Sequence, residues 1–362
     1  MRGIGLIGLI GLIDPISPIG PIGPIRPLPR NSKTPNTMQD SNNFSRPDLM
    51  LLSGKMSQLR QQIAQIIVGQ NEAVDLILTA ILADGHVLIE GVPGVAKTLL
   101  AKLMARLIDA RFSRVQFTPD LMPSDVLGTT VFNMQTQQFN FHAGPVFADI
   151  VLVDEINRAP AKTQAALFEV MEERQATVDG QRHPMGPLYT ILATQNPVEQ
   201  EGTYRLPEAQ LDRFMMKIEM GYPTVDQEEE ILQRHLNQPI SVGLETIEPV
   251  ITQAELLQLR QTLWQVHVDA SLIRYIALVV EQTRQSKTVF LGASPRASVA
   301  MLQASRAYAL LQGRDFVVPD DIKQVAPAVL AHRIILTAEA EMEELTTRRV
   351  VEQLLEKVEV PK

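Results

Sequence analysis

Glu90-Gly91-Val92-Pro93-Gly94-Val95-Ala96-Lys97-Thr98-Leu99-Leu100 is the stretch on which the reading of this chain turns. It follows the apolar run His86-Val87-Leu88-Ile89 and leads into Leu99-Leu100-Ala101-Lys102-Leu103-Met104-Ala105, whose apolar residues recur at helical spacing. The order is strand, glycine turn, helix. A phosphate-cradling loop is spelled Gly, four residues, Gly, Lys, Ser or Thr, and the chain matches it except that Ala96 stands in the second glycine's place. Such a loop turns successive backbone N–H groups inward, and the following helix N-terminus adds partial positive charge. Lys97 then reaches the terminal phosphates of a nucleotide, and Thr98 offers a hydroxyl to magnesium. Gly91 to Leu99 are the expected nucleotide-binding residues. Alone, the turn is also compatible with a chance lysine.

A second stretch answers it. Asp149-Ile150-Val151-Leu152-Val153-Asp154-Glu155 is a continuous apolar run ending in two carboxylates. Parallel strands buried on both faces read this way, and ligand chemistry in open α/β sheets gathers at strand carboxyl ends. The expected roles are Asp154 in the magnesium shell, with Thr98, and Glu155 polarising the attacking water. A third strand, Leu188 to Ala193, ends in Thr194-Gln195-Asn196-Pro197. Asn196 is either a turn cap before proline or, in this company, a water-positioning amide.

The bulk properties narrow the function classes. The 362 residues suffice for more than one domain, and the hydrophobic fraction of 45% suits a globular protein. Net charge is −8, yet residues 1–46 hold Arg2, Arg26, Arg30, Lys33 and Arg46 against Asp14 and Asp40, so the rest carries −11. So acidic a body is a poor binder of phosphate backbones, and no nucleic-acid partner is expected. There is no cysteine, which removes disulfides, thiolate zinc sites and cysteine nucleophiles. The histidines His235, His267 and His332 are dispersed without metal-ligand spacing.

Along the chain, residues 1–45 repeat Leu-Ile-Gly and then Pro-Ile-Gly triplets. Proline interrupts them before the roughly 20 apolar residues a membrane helix needs, so a disordered tail is expected, with Met38 or Met50 as the natural start and no stable membrane anchor. A membrane-touching segment is the alternative. Two amphipathic helices, Pro47 to Ile67 and Glu72 to Ala83, flank Val68-Gly69-Gln70, a turn that either caps a helix or seats an adenine ring, and on the second reading Val68 and Gly69 join the nucleotide-binding set. Ser113 to Phe117 alternates as a strand. Gly128 to Gly144 and Thr177 to Arg182 read as β-hairpins, and Pro160 opens a helix. A short helix from Arg205 ends in Arg213-Phe214. Arg213 is either a solvated helix-end charge or, in an oligomeric phosphate hydrolase, a group offered across a subunit boundary. Beyond Tyr222 the pattern is helical, in Val225 to His235, Gln253 to Val266, Ser271 to Gln285, Arg296 to Leu311 and Pro319 to Ala331. Ser294-Pro295-Arg296 opens one of these, and Arg296 either reaches the nucleotide from above or is a surface arginine. The expected division is a 1–45 tail, a 46–222 α/β nucleotide-binding core and a smaller all-α lid over 223–362.

These motifs together resemble AAA+ ATPases of the MoxR family over about residues 50–340. The likeness rests on the loop with Ala96 in place of glycine, Gly144-Pro145-Val146-Phe147, Asp154-Glu155-Ile156-Asn157-Arg158-Ala159, Gln164-Ala165-Ala166-Leu167, Ala193-Thr194-Gln195-Asn196-Pro197, Leu206 to Phe214 and Ser294-Pro295-Arg296-Ala297. Arg205 departs from the family, which commonly has proline there. The resemblance implies an AAA+ core with a parallel sheet, hairpin insertions and a helical lid. It also implies Walker A at Lys97 and Thr98, Walker B at Asp154 and Glu155, sensor 1 at Asn196, a trans-acting finger at Arg213 and sensor 2 at Arg296. It further implies ATP and Mg2+, a ring oligomer, usually a hexamer, and a cytoplasmic chaperone-like role in maturing protein complexes. A partner with a von Willebrand factor A domain is common in such systems. A helicase-type motor and a magnesium-chelatase-type motor subunit are the alternatives.

Overall fold

The computed structural model describes residues 46–196, 204, 206–237 and 247–361, with side chains from residue 54, and these belong to one compact unit, Phe44–Lys362. The expected tail over residues 1–45, Pro197 and Arg205 lie outside the described residues.

Two helices come first, α1 (Arg46–Ile66) and α2 (Asn71–Leu82), and then the alternation of strand and helix begins with β1 (Val87–Gly91), α3 (Lys97–Leu107) and β2 (Phe112–Gln116). A short helix α4 (Pro123–Leu127) feeds the first hairpin, β3 (Gly128–Asn133) and β4 (Gln138–Ala143). Next come β5 (Ile150–Asp154), α5 (Ala161–Glu173) and the second hairpin, β6 (Gln175–Val178) and β7 (Gln181–Pro184). β8 (Thr190–Gln195), α6 (Glu208–Leu211) and β9 (Met216–Met220) complete the α/β part.

The main sheet is parallel throughout and runs β2-β5-β8-β1-β9. Its strands read as unbroken apolar runs because both faces are covered. Val87, Ile89, Ile150, Leu152 and Leu192 join the core beneath α1, α2 and α3, whereas Leu88, Val151, Val153, Ile191 and Ala193 join the core beneath α5. This is the period-2 alternation of a strand, with apolar residues on both sides. Each fully buried Leu or Ile contributes roughly 2 kcal/mol of transfer free energy, so a charge placed in any of these strands would unseat the sheet.

The helical part consists of α7 (Val225–Asn237), α8 (Gln253–Thr262), α9 (Ala270–Gln285), α10 (Pro295–Leu311), α11 (Pro319–Leu330), α12 (Ala338–Met342) and α13 (Thr347–Lys357). It also carries a two-stranded antiparallel ribbon, β10 (Val289–Leu291) with β11 (Ile335–Leu336), which the sequence reading did not anticipate. Its core is continuous with that of α1, α2 and α3: Met301, Ala304, Ala307 and Val325 belong to the same apolar cluster as Leu59, Ile63 and Ile77. No described helix is long and apolar enough to cross a membrane.

Candidate nucleotide site

The loop between β1 and α3 is built around two left-handed residues. Gly94 adopts φ +90, and a Cβ there would meet nothing, so the inner side of the turn is open. Ala96 adopts φ 64, ψ 23 immediately before the first turn of α3. A Cβ in this region costs about 1 kcal/mol, which the sequence accepts to aim the N-terminus of α3 across the end of β1. Lys97 folds back over the loop, donating from Nζ to the carbonyls of Gly91 at 2.5 Å and Val92 at 3.3 Å. Those carbonyls hold the ammonium against the loop.

Parallel pairing brings the other two motifs alongside. β8 lies between β5 and β1, so Asp154, Glu155 and Asn196 lie at the carboxyl ends of β5 and β8, on the same edge of the sheet as the loop that follows β1. Asp154 and Asn196 are buried and Glu155 is half-buried. Thr194 ties the strand ends together: its hydroxyl donates to Asp154 Oδ1 at 3.1 Å and accepts from the backbone N–H of Glu155 at 3.0 Å. Glu155 takes a left-handed φ of 56, which turns its side chain away from the strand direction.

Three side chains that the sequence reading passed over hold these carboxylates. Arg114 Nε donates to Asp154 Oδ2 at 2.6 Å, while Gln116 Nε2 at 2.9 Å and Arg158 Nη1 at 3.0 Å both donate to Glu155 Oε2. Arg114 and Gln116 are two apart on β2 and so share a face, and the register sets Gln116 opposite Asp154. Among the described residues no cluster of three or more His, Cys, Asp or Glu could hold a metal by itself. That fits magnesium, which takes one or two carboxylates and completes its shell with phosphate oxygens and waters. Asp154 and the Thr98 hydroxyl are the donors this chain offers, and Arg114 occupies the position of positive charge beside Asp154.

In the turn expected to seat an adenine, Gly69 adopts φ +77, and a Cβ there would lie 2.4 Å from Gln227 Oε1 on α7. Gln70 Nε2 donates to the carbonyl of Gly221 at 3.2 Å, so the turn after α1 and the start of α7 close on each other.

The two arginines lie elsewhere. Arg213 Nη1 donates to the Phe168 carbonyl at 2.7 Å and stands 3.7 Å from Glu172 Oε2, and Arg296 Nη2 donates to Glu172 Oε1 at 3.0 Å. Both line a cleft with Gly85, His86 and Met171. Gly85 and His86 precede β1, whereas the phosphate loop follows it, so roughly 17 Å of strand separates the two ends. Arg296, expected to reach a nucleotide from above or to be a surface arginine, stands beside Arg213 at the amino end of β1. The cause is that α10 packs along α2, which directs the start of α10 toward the amino ends of the strands. Arg333, buried and bonded to Asp212 Oδ1 at 2.7 Å and to the Phe214 carbonyl at 2.7 Å, pins the segment that carries Arg213.

Residues 86–216 match the family described as ATPase family associated with various cellular activities (AAA), and residues 281–354 match the AAA lid domain. The chain is 46% identical to an uncharacterized Bacillus subtilis protein, YeaC, over 87% of this chain and 96% of that one. It is 43% identical to the chaperone MoxR1 of Mycobacterium tuberculosis, covering 83% and 81%, and 32% identical to protein MoxR of Methylorubrum extorquens, covering 83% and 94%. The crystal structure of a Cytophaga hutchinsonii protein classed as an ATPase superposes with a TM-score of 0.80 at 39% identity, covering 87% of this chain and 98% of that one.

Proposed function

This chain belongs to the MoxR family of AAA+ ATPases, and from that premise we propose that it hydrolyses MgATP at the boundaries of a hexameric ring to remodel protein complexes. The observation that carries the reading is the split of one ATPase apparatus between opposite ends of β1. Lys97, Asp154, Glu155 and Asn196 gather at the carboxyl end, and Arg213 and Arg296 stand at the amino end. A single chain cannot close both sets on one nucleotide, whereas head-to-tail copies can.

In this reading the adenine rests on Val68 and Gly69, and the N–H groups of Gly91 to Leu99 cradle the phosphates. Lys97 leaves the Gly91 and Val92 carbonyls for the terminal phosphates. Thr98 and Asp154 would hold Mg2+, which neutralises charge between the β- and γ-phosphates. Asn196 orients the attacking water, and Glu155 accepts its proton once Gln116 and Arg158 release Oε2. Arg213 and Arg296 of the adjoining copy meet the γ-phosphate, where their charge stabilises the transition state. The 46–222 core and the 223–362 lid are the two parts whose relation the loss of γ-phosphate would alter. A protein client, including one acting with a von Willebrand factor A partner, receives that motion.

Glu155→Gln is the direct test. It should bind ATP and assemble as the unaltered chain does while turnover falls at least 100-fold. Unaltered turnover would remove Glu155 from the mechanism.

A further inference from the structure

Among the described residues, an amphipathic helix has its apolar stripe outward. On α7, Val225, Leu232 and Leu236 fall at i, i+7 and i+11, on one face of the helix, and all three are exposed, Leu236 to 86%. Beside that stripe run Asp226, Glu228, Glu229 and Glu230, the last paired with Arg234. The helix is moored by its other side: Arg234 Nη1 donates to the carbonyls of Ala64 at 3.1 Å and Gln65 at 2.6 Å, and Gln227 lies against Gly69. It therefore stands beside the adenine seat.

A cleft of about 620 Å³ has the complementary character. Leu82, Leu257 and Leu263 form its apolar walls, and Trp264, the chain's one tryptophan, is 72% exposed at its mouth. Two guanidinium groups line it. Arg306 lies 5.7 Å from the centre of the Trp264 ring, and Arg260, whose side chain is 9% exposed, bonds to Asp84 Oδ1 at 2.6 Å. Arg260 is already held by Asp84 and by the Ile81 and Pro187 carbonyls, whereas Arg306 Nε is buried without a hydrogen-bond partner, an expensive condition for a cation. An exposed tryptophan beside arginine is also the composition of an interface hot spot.

The cleft has a definite place relative to the arginine end of the molecule. Asp84 and Gln303 line both it and the cleft that holds Arg213 and Arg296. If those arginines face a neighbour's γ-phosphate, the Trp264 cleft faces the elements around that neighbour's nucleotide, and α7 is one of them. We propose that α7 of one copy seats in the Trp264 cleft of the next, with Leu232 and Leu236 against Trp264 and Leu257, and with Glu228 or Glu229 on the Arg306 guanidinium group. The contact is head-to-tail, so repetition closes a ring. It makes assembly answer to nucleotide, because the docking helix is moored on the turn that seats the adenine. This rests on the trans reading of Arg213 and Arg296 and adds the surface that holds the copies together.

The test uses the full chain and its own fluorophore. On adding MgATP at assembling concentrations, Trp264 emission should shift to the blue as the indole loses water. Leu232→Asp with Leu236→Asp, both at exposed positions, should leave the thermal unfolding of the monomer unaltered and raise the concentration for half-assembly at least tenfold. Glu229→Arg and Arg306→Glu should each weaken assembly at least fivefold, and the two together in one chain should recover most of it. Assembly with unaltered emission, or assembly of the Leu232→Asp, Leu236→Asp chain at the original concentration, overturns the proposal and leaves the cleft to a segment of another protein. The trans reading is scored separately by mixing Lys97→Ala with Arg213→Ala chains: activity regained in the mixture without any emission shift fails the docking proposal alone, and a chain that stays monomeric with MgATP fails both.

Discussion

Arg213 and Arg296 are brought together on one carboxylate: Glu172 presents Oε2 to Arg213 at 3.7 Å and Oε1 to Arg296 at 3.0 Å. Two guanidinium groups so close repel each other, and Glu172 offsets that repulsion and fixes their spacing. All three side chains are about a third or more exposed, so the screened interaction is on the scale of 1 kcal/mol. Glu172→Ala should therefore lower the turnover of assembled protein about threefold to tenfold and leave ATP binding by dilute chains unaltered. Steady-state hydrolysis beside a nucleotide-binding titration measures both.

The Arg114 to Asp154 pair sets a second expectation. Its guanidinium competes with a divalent cation for the same carboxylate, and Arg114 is half exposed, so the competition is modest. Arg114→Ala should lower the Mg2+ concentration for half-maximal ATP binding by about fivefold. Magnesium titration of nucleotide binding reads it.

Acid should destabilise the protein through a buried imidazole. His86 accepts from the Ile191 N–H at Nδ1, 3.0 Å, and meets the Met171 carbonyl at Nε2, 3.3 Å, so the ring is neutral and a second proton would oppose a backbone donor. Burial, with the charge of Arg174 next, pushes its pKa down to about 3. The unfolded chain binds that proton near pH 6.5 and the folded chain does not. Stability is therefore full above about pH 6.5 and falls toward pH 3, at up to about 1.4 kcal/mol per pH unit for this group. Burial pushes His332 in the same direction. Denaturant unfolding between pH 7 and 5 should show the loss, and His86→Gln should flatten it.

Asp212 is the counter-charge of a buried guanidinium. Arg333 keeps only 4% of its side chain exposed and bonds to Asp212 Oδ1 and to three backbone carbonyls besides that of Asp212 itself. Removing the carboxylate leaves the cation in place and uncompensated. Asp212→Ala should cost about 3 kcal/mol of unfolding free energy, measured by urea titration.

The sequence made the local parts of this site legible. A glycine turn between an apolar run and a helical pattern, an Asp-Glu pair closing a second run and an amide closing a third are contiguous signals, and parallel pairing brought them to one edge. What stayed hidden depends on strand order and on which helix ends meet. Arg114 and Gln116 matter only because β2 neighbours β5, and Glu172 matters only because α5 ends where α10 begins. The ribbon of β10 with β11 was missed because three residues with two exposed carry no readable period. α13 was missed although Val350, Val351, Leu354 and Leu355 are spaced as a buried helical face and Thr346 caps it, accepting from Arg349 N–H. The same dependence on long-range packing places Arg296 beside Arg213, which no contiguous signal could show.

The account stands on catalysis completed by a neighbouring copy, and mixing two inactive chains measures that directly. Lys97→Ala keeps Arg213 and Arg296 but cannot hold the phosphates, and Arg213→Ala holds them without the arginine. In an equal mixture about a quarter of the interfaces join an intact loop to an intact Arg213. Hydrolysis should return to about a quarter of the original rate while each chain alone stays near zero. No recovery in mixed assemblies of normal size, or full activity from Arg213→Ala alone, would contradict the account.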